Sequence, residues 1–260
     1  MMPKSVLVDV TRCIGCGACT VACKLWNGLV YDEQVPHSGS KAQLNERNWT
    51  ILEKRQVNGS QRRYVKKQCM HCLEPACVSA CFSKALQRDE SGAVIYHPEL
   101  CVGCRYCMVA CPFEVPKYEW GKQIPLVAKC QFCSSKLAAG EAPACTGACP
   151  TQALLYGERS ELLAEAHRRL QNGSYVPQVY GEKEIGGTSW LYLSDVSFAQ
   201  LGFPEKLGEK SLPAYTQGFL SQTPWLAVGW GGFLAGMSWY TRRRRRLKDE
   251  DKEGGEEDES

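Results

Sequence analysis

The run Cys101-Val102-Gly103-Cys104-Arg105-Tyr106-Cys107-Met108-Val109-Ala110-Cys111-Pro112 decides the fold of this 260-residue chain. It reads C-x2-C-x2-C-x3-C-P, the spacing in which three thiolates wrap one iron–sulfur cube and the fourth reaches a neighbouring one. The proline after the fourth cysteine suits a first helical turn, where no N–H donor is needed. Gly103 lets the backbone approach a bulky inorganic core with no Cβ in the way.

Outward from this run, the sixteen cysteines form three more groups of four. Cys13/Cys16/Cys19/Cys23 has the same spacing without the proline. Cys69/Cys72/Cys77/Cys81 stretches one gap, and Cys130/Cys133/Cys145/Cys149 opens a long gap but still ends before Pro150. Each cubane takes four thiolates, so four quartets imply four [4Fe–4S] clusters. The same rule predicts cross-ligation. Cys69, Cys72 and Cys77 share a cluster with Cys111, while Cys101, Cys104 and Cys107 share one with Cys81. Cys13, Cys16 and Cys19 go with Cys149, and Cys130, Cys133 and Cys145 with Cys23.

Other uses of cysteine fit poorly. A disulfide framework suits a small chain with little core, whereas this one is 44% apolar. Zinc ribbons would leave the third cysteine of each compact triplet surplus. No cysteine precedes a histidine, as attached haem requires, and no paired histidines offer Rieske ligation. A net charge of +3 is too near balance to point to nucleic acid. His37, His97 and His167 are isolated, and no nucleophile–base pair or nucleotide loop appears, so no substrate site is expected.

The groups nest. Residues 85–96 read as a hairpin joining the second and third, which makes residues 62–122 one ferredoxin-like unit. Residues 1–30 and 123–200 then close a second unit around an insertion at 31–61. Val6-Leu7-Val8 before Cys13 and Val94-Ile95-Tyr96 before Cys101 read as equivalent strands. Leu162, Leu163, Ala166 and Leu170 mark a short amphipathic helix. The Gly- and Pro-rich stretch 173–212 reads as a surface arm with one strand-like run at Trp190–Leu193, its end (201–212) being a linker.

No charged residue occurs from Ser211 to Thr241, and Arg242–Arg246 follows at once. Such a stretch, framed by Tyr215, Trp239 and Tyr240, predicts a transmembrane anchor over 213–241 with a charged, disordered tail at 242–260. A buried glycine-rich helix is the ordinary alternative. The arginine block predicts a cytoplasmic tail and therefore a periplasmic iron–sulfur domain. Cys13 leaves no room for a signal peptide before it, which implies export alongside a partner. The expected class is α+β: two ferredoxin-like dicluster units in pseudo-repeat, then one transmembrane helix.

Together these features resemble the four-cluster ferredoxin-type subunits of the dimethyl-sulfoxide-reductase electron-transfer family. Tyr64 through Cys72 and Cys104 through Pro112 are similar to the hydrogenase-2 iron–sulfur subunit. Leu7 through Trp26-Asn27 is similar to the respiratory formate dehydrogenase β subunit. Phe82 departs from the pattern, standing where relatives have proline after the fourth cysteine. The resemblance implies an electron-transfer subunit rather than an enzyme. Its partners would be a periplasmic nickel–iron hydrogenase or molybdopterin enzyme and a membrane subunit that reduces quinone, with lipid around the anchor. A molybdopterin reductase subunit fed from quinol, or a free soluble carrier, are the alternatives. Lys66, Lys67 and Lys129 stand beside ligands and would raise cluster potentials if they face them.

Overall fold

Val6, Leu7 and Val8 favour extended backbone and are buried, and they form the centre of strand β1, Lys4–Asp9. The computed structural model describes residues 3–31, 34–123 and 125–256, with side chains described to residue 246. After β1 come helix α1 (Ala18–Asn27) and strands β2 (Ser38–Gly39), β3 (Ile51–Val57) and β4 (Gln61–Lys67). Helix α2 (Ala76–Ser79), the hairpin β5 (Leu86–Arg88) and β6 (Val94–Tyr96), and helix α3 (Tyr106–Ala110) follow. Next are β7 (Lys117–Tyr118), β8 (Val127–Ala128), α4 (Ser134–Ala138) and α5 (Ala144–Gly147). The chain continues with β9 (Leu154–Glu158), α6 (Arg159–Leu170), β10 (Trp190–Leu193) and α7 (Leu212–Glu256).

The sheet that positions the site has the order β10-β1-β9. β1 runs parallel to β10, pairing Val6 with Trp190, and antiparallel to β9, pairing Val8 with Leu154. Alternation along the strands divides two cores. Val6, Val8, Trp190 and Tyr192 point into the main core with Phe132, Cys19 and Cys145. Leu7, Leu191 and Leu193 point the other way, onto Leu162 and Ala166 of α6. A third cluster around Leu86, Val94, Tyr96 and Tyr118 packs the β5–β6 and β7–β8 hairpins beside Cys107. Strands β2-β3-β4 form a separate sheet within the stretch read as an insertion and its flank.

Two expectations change. Residues 190–193 are not part of a surface arm: all four side chains are fully buried. An uninterrupted apolar run is what a strand covered on both faces requires, and the turn-rich flanks concealed it.

The tail needs a larger correction. The chain divides into Met1–Pro213 and Ala214–Ser260. Among the described residues, no helix is long and apolar enough to cross a membrane. α7 is 45 residues long with Pro224 inside it. Gly218, Ser221, Gln222, Thr223, Gly229, Gly231 and Gly232 carry no charge, yet they supply little apolar surface. Absence of charge therefore overstated apolarity, and the transmembrane anchor expected at 213–241 is not supported. The periplasmic domain and cytoplasmic tail inferred from that anchor lose their basis with it. The helix runs through Arg242–Arg246 to Glu256 across the stretch read as disordered, and residues 257–260 lie outside the described residues.

Candidate iron–sulfur centres

Two of the cysteine loops are built alike. A 3-10 turn, Val10–Arg12, delivers the chain to Cys13, and another, Pro98–Leu100, delivers it to Cys101. Gly15 and Gly17 then adopt φ of +77° and +76°, and Gly103 and Arg105 adopt +71° and +63°. These left-handed residues turn the loop back on itself before α1 and α3 begin. Gly15 is needed for room as well, since a Cβ there would stand 2.5 Å from the Tyr64 ring. Asp9 fixes the first turn, accepting from the Thr11 backbone N–H at 3.1 Å and its hydroxyl at 2.6 Å.

Cysteines far apart in sequence come together. Cys13, Cys16, Cys19 and Cys149 line one pocket with Val8, Leu52 and Tyr64. Cys23, Cys130, Cys133 and Cys145 line a second with Thr50, Phe132 and Trp190. Burial pushes the Cys72 thiol well up, and Cys69, Cys111 and Cys77 add to the rise. Burial likewise raises Cys107, where Cys101, Cys104 and Cys81 contribute after the opposing Tyr118 hydrogen bond. Each set is the one the cross-ligation rule names. Among the described residues, no three of His, Cys, Asp and Glu converge tightly enough to hold a single metal ion.

Cysteines of different sets also act on one another. Cys145 acts on Cys19, Cys69 on Cys130, and Cys107 on Cys77, in each case adding to a rise led by burial. These influences link Cys13/Cys16/Cys19/Cys149 to Cys23/Cys130/Cys133/Cys145, that set to Cys69/Cys72/Cys77/Cys111, and that one to Cys81/Cys101/Cys104/Cys107. Only the first and fourth of these sets carry an exposed cysteine, Cys16 in one and Cys104 in the other.

The surroundings suit a polythiolate anion. Lys66 and Lys129 are 3% and 2% exposed. Lys129 donates to the carbonyls of Val94 and Cys130, and its charge opposes the rise of Cys77 to about 12 and of Cys111 to about 11, both led by burial. Lys67 instead faces outward to Glu53 and the Gly202 carbonyl, so proximity in sequence misled there. Donors reach sulfur directly: Asn27 Nδ2 lies 3.5 Å from Cys23 Sγ, the Phe132 N–H 3.4 Å from Cys130 Sγ, and Tyr118 Oη 3.6 Å from Cys107 Sγ. Trp190 Nε1 and His71 Nε2 are buried with no hydrogen-bond partner among the described residues. Buried donors without acceptors are costly, and the cysteine sulfurs of the pocket that Trp190 lines would satisfy its Nε1. Thiolate ligands, buried cations and unmatched N–H groups all fit iron–sulfur clusters.

Comparison with known proteins agrees. The 4Fe-4S dicluster domain family matches residues 60–159, and the 4Fe-4S binding domain family matches residues 3–25. A protein of Nitratidesulfovibrio vulgaris is 42% identical over 95% of this chain and 69% of its own length. The hydrogenase-2 operon protein HybA of Escherichia coli O157:H7 is 34% identical over 98% of this chain and 88% of its own. The chain belongs to the ferredoxin-type iron–sulfur subunits that include HybA. The nitrate-inducible formate dehydrogenase iron–sulfur subunit of Escherichia coli K12 is a further relative, 35% identical over 72% of this chain and 66% of its own. Members of this family transfer electrons, and the cofactor here is the [4Fe–4S] cluster.

Within that family the remaining polar residues take ordinary places. His37 hydrogen-bonds the Thr20 hydroxyl, His97 pairs with Glu99, and His167 with Glu182. Sequence reasoning missed His71, Tyr96, Tyr118 and Trp190. His71 is fully buried, accepts from the Val94 N–H at 2.9 Å and stacks on Phe132 at 4.8 Å. Burial first, and then Lys129, hold it well below the usual imidazole range and keep it neutral. Its place between Cys69 and Cys72 was the available signal.

Proposed function

We propose that this chain conducts electrons one at a time along four [4Fe–4S] clusters held by the four sets in the order given above. Cross-ligation joins the members of each pair, and residues 1–30 with 123–200 and residues 62–122 form the two dicluster units. A catalytic oxidoreductase subunit, a nickel–iron hydrogenase or a molybdopterin enzyme, docks at one end. A quinone-reactive membrane subunit takes electrons at the other, and the chain itself has no substrate site.

The observation that carries this reading is the exposure pattern. Cys16 of the first set and Cys104 of the fourth are exposed, while no cysteine of the other two sets is. Two accessible termini with an insulated middle suit conduction between two partners. A carrier that collects and delivers at one place needs only one. The names of the relatives, HybA and formate dehydrogenase subunits, support the two partner classes.

The test is anaerobic purification of the chain, followed by iron and sulfide analysis and an EPR-monitored redox titration. About sixteen irons per chain, four cubes of four, and four resolvable potentials are expected. Turnover of hydrogen or formate should be absent until the catalytic subunit is added. About eight irons, or zinc in place of iron, would overturn the reading.

A further inference from the structure

Lys66 is the one lysine that lines both pockets of the first dicluster pair. Its ammonium donates to the Thr50 hydroxyl and, at 3.0 Å, to Gln68 Oε1, and sits 4.7 Å from the centre of the Trp190 ring. All these partners are neutral. Among the described residues, no carboxylate pairs with it. Its position is fixed from behind: Gln68 Nε2 donates to Tyr192 Oη at 2.7 Å, and Tyr192 Oη donates to the Lys66 carbonyl at 2.9 Å. A buried ammonium with no anionic partner is costly, and lysine is almost never fully buried unless paired.

We infer that Lys66 is the shared counter-charge of two clusters, held by Cys13/Cys16/Cys19/Cys149 and by Cys23/Cys130/Cys133/Cys145, and that it sets both of their potentials together. The inference rests on the cluster assignment proposed above. Each cluster becomes more negative by one charge when it accepts an electron. A fixed cation between the two favours that state in both, and offsets the repulsion an electron on one exerts on an electron arriving at the other. Burial alone would lower the Lys66 ammonium, but Cys145, Cys19, Cys130 and Cys23, members of both sets, more than reverse this. Lys129, by contrast, acts on Cys77 and Cys111 of the third set.

The test compares wild type, Lys66→Met and Lys66→Arg as full-length, anaerobically prepared chains. Iron content in the wild type comes first, because a wild type without four clusters sinks the assignment rather than this inference. In Lys66→Met the expected result is full iron content with two potentials lowered together. Each should shift by about tenfold in its one-electron equilibrium, about 59 mV, with the other two potentials unmoved. Lys66→Arg should keep all four near wild type. A Lys66→Met chain with unchanged potentials, or with one potential moved, overturns the inference. If Lys66→Met fails to load iron, recovery of full loading by Lys66→Arg supports a charge requirement shared by both sites, and failure of Lys66→Arg to load overturns it.

Discussion

Arg169 Nη1 donates to the Asp9 carboxylate at 2.8 Å, joining the last turn of α6 to the residue that caps the turn into Cys13. Tyr175 Oη donates to the same carboxylate at 2.9 Å. Asp9 is 1% exposed, so these donors replace water around its carboxylate. Arg169→Met should cost about 1–3 kcal/mol, because it removes a charged donor while Tyr175 and Thr11 still donate to the carboxylate. Chemical denaturation of the loaded protein measures it, and a loss under 1 kcal/mol would show that water reaches Asp9.

The proposed cross-ligation makes a specific pattern of losses. Cys149→Ala should remove the same EPR signal as Cys13→Ala, and about a quarter of the iron. Cys23→Ala should instead match Cys145→Ala. If Cys149→Ala and Cys145→Ala erase one common signal, each sequence group binds its own cluster and the pairing is wrong.

At the far end of the proposed order, Tyr118 is 1% exposed and its hydroxyl lies 3.6 Å from Cys107 Sγ. With Cys107 bound to iron as proposed, its thiolate has no proton and the hydroxyl donates. Tyr118→Phe removes a bond of about 1 kcal/mol that strengthens as charge builds on the sulfur. One potential should fall, and the other three should hold. Equal stability with no shift would place that hydroxyl elsewhere.

The Tyr64 ring closes over Gly15 so tightly that Gly15→Ala must displace it. Backbone strain at φ +77° adds to the cost. A loss of about 1–3 kcal/mol is expected. The more telling readout is air exposure: the cluster at Cys13/Cys16/Cys19/Cys149 should bleach faster than in wild type while the others keep their rates.

Arg63 grips Asp195 through two nitrogens and holds its carboxyl below the ordinary range, the hydrogen bond being the main cause. A lowered folded value gives stability that is present above the unfolded pKa of about 3.9 and lost as pH falls through the folded one. The cost of Asp195→Asn, about 1 kcal/mol for a pair part-open to solvent, should therefore be flat from pH 8 to 5. A cost that already shrinks between pH 7 and 6 would exclude this pair as its source.

Ligand chemistry was legible because it is written locally. Each cysteine group is short, from eleven residues at Cys13–Cys23 and Cys101–Cys111 to twenty at Cys130–Cys149, and the hairpin at 86–96 and the helix at 159–170 follow from short-range pattern. What escaped depends on distant packing. Trp190 looked like a residue in a loose arm, yet β1 and Phe132 bury it. Lys66 and Lys67 are neighbours in sequence, but strand alternation sends one inward and the other out. The long uncharged stretch failed for another reason, because glycine and hydroxyl residues are neutral without being apolar.

β1 has β9 on one side and β10 on the other, so its pairing partners end at residues 158 and 193. A ribosome making this chain therefore releases the first nine residues long before they can settle. On the proposed pairing, the ligands from Cys69 to Cys111 emerge as one contiguous block, whereas Cys13, Cys16 and Cys19 must wait for Cys149. Assembly should begin in the middle of the polypeptide and finish at its start, and during that interval the earliest cysteines to be translated are the last to be sheltered.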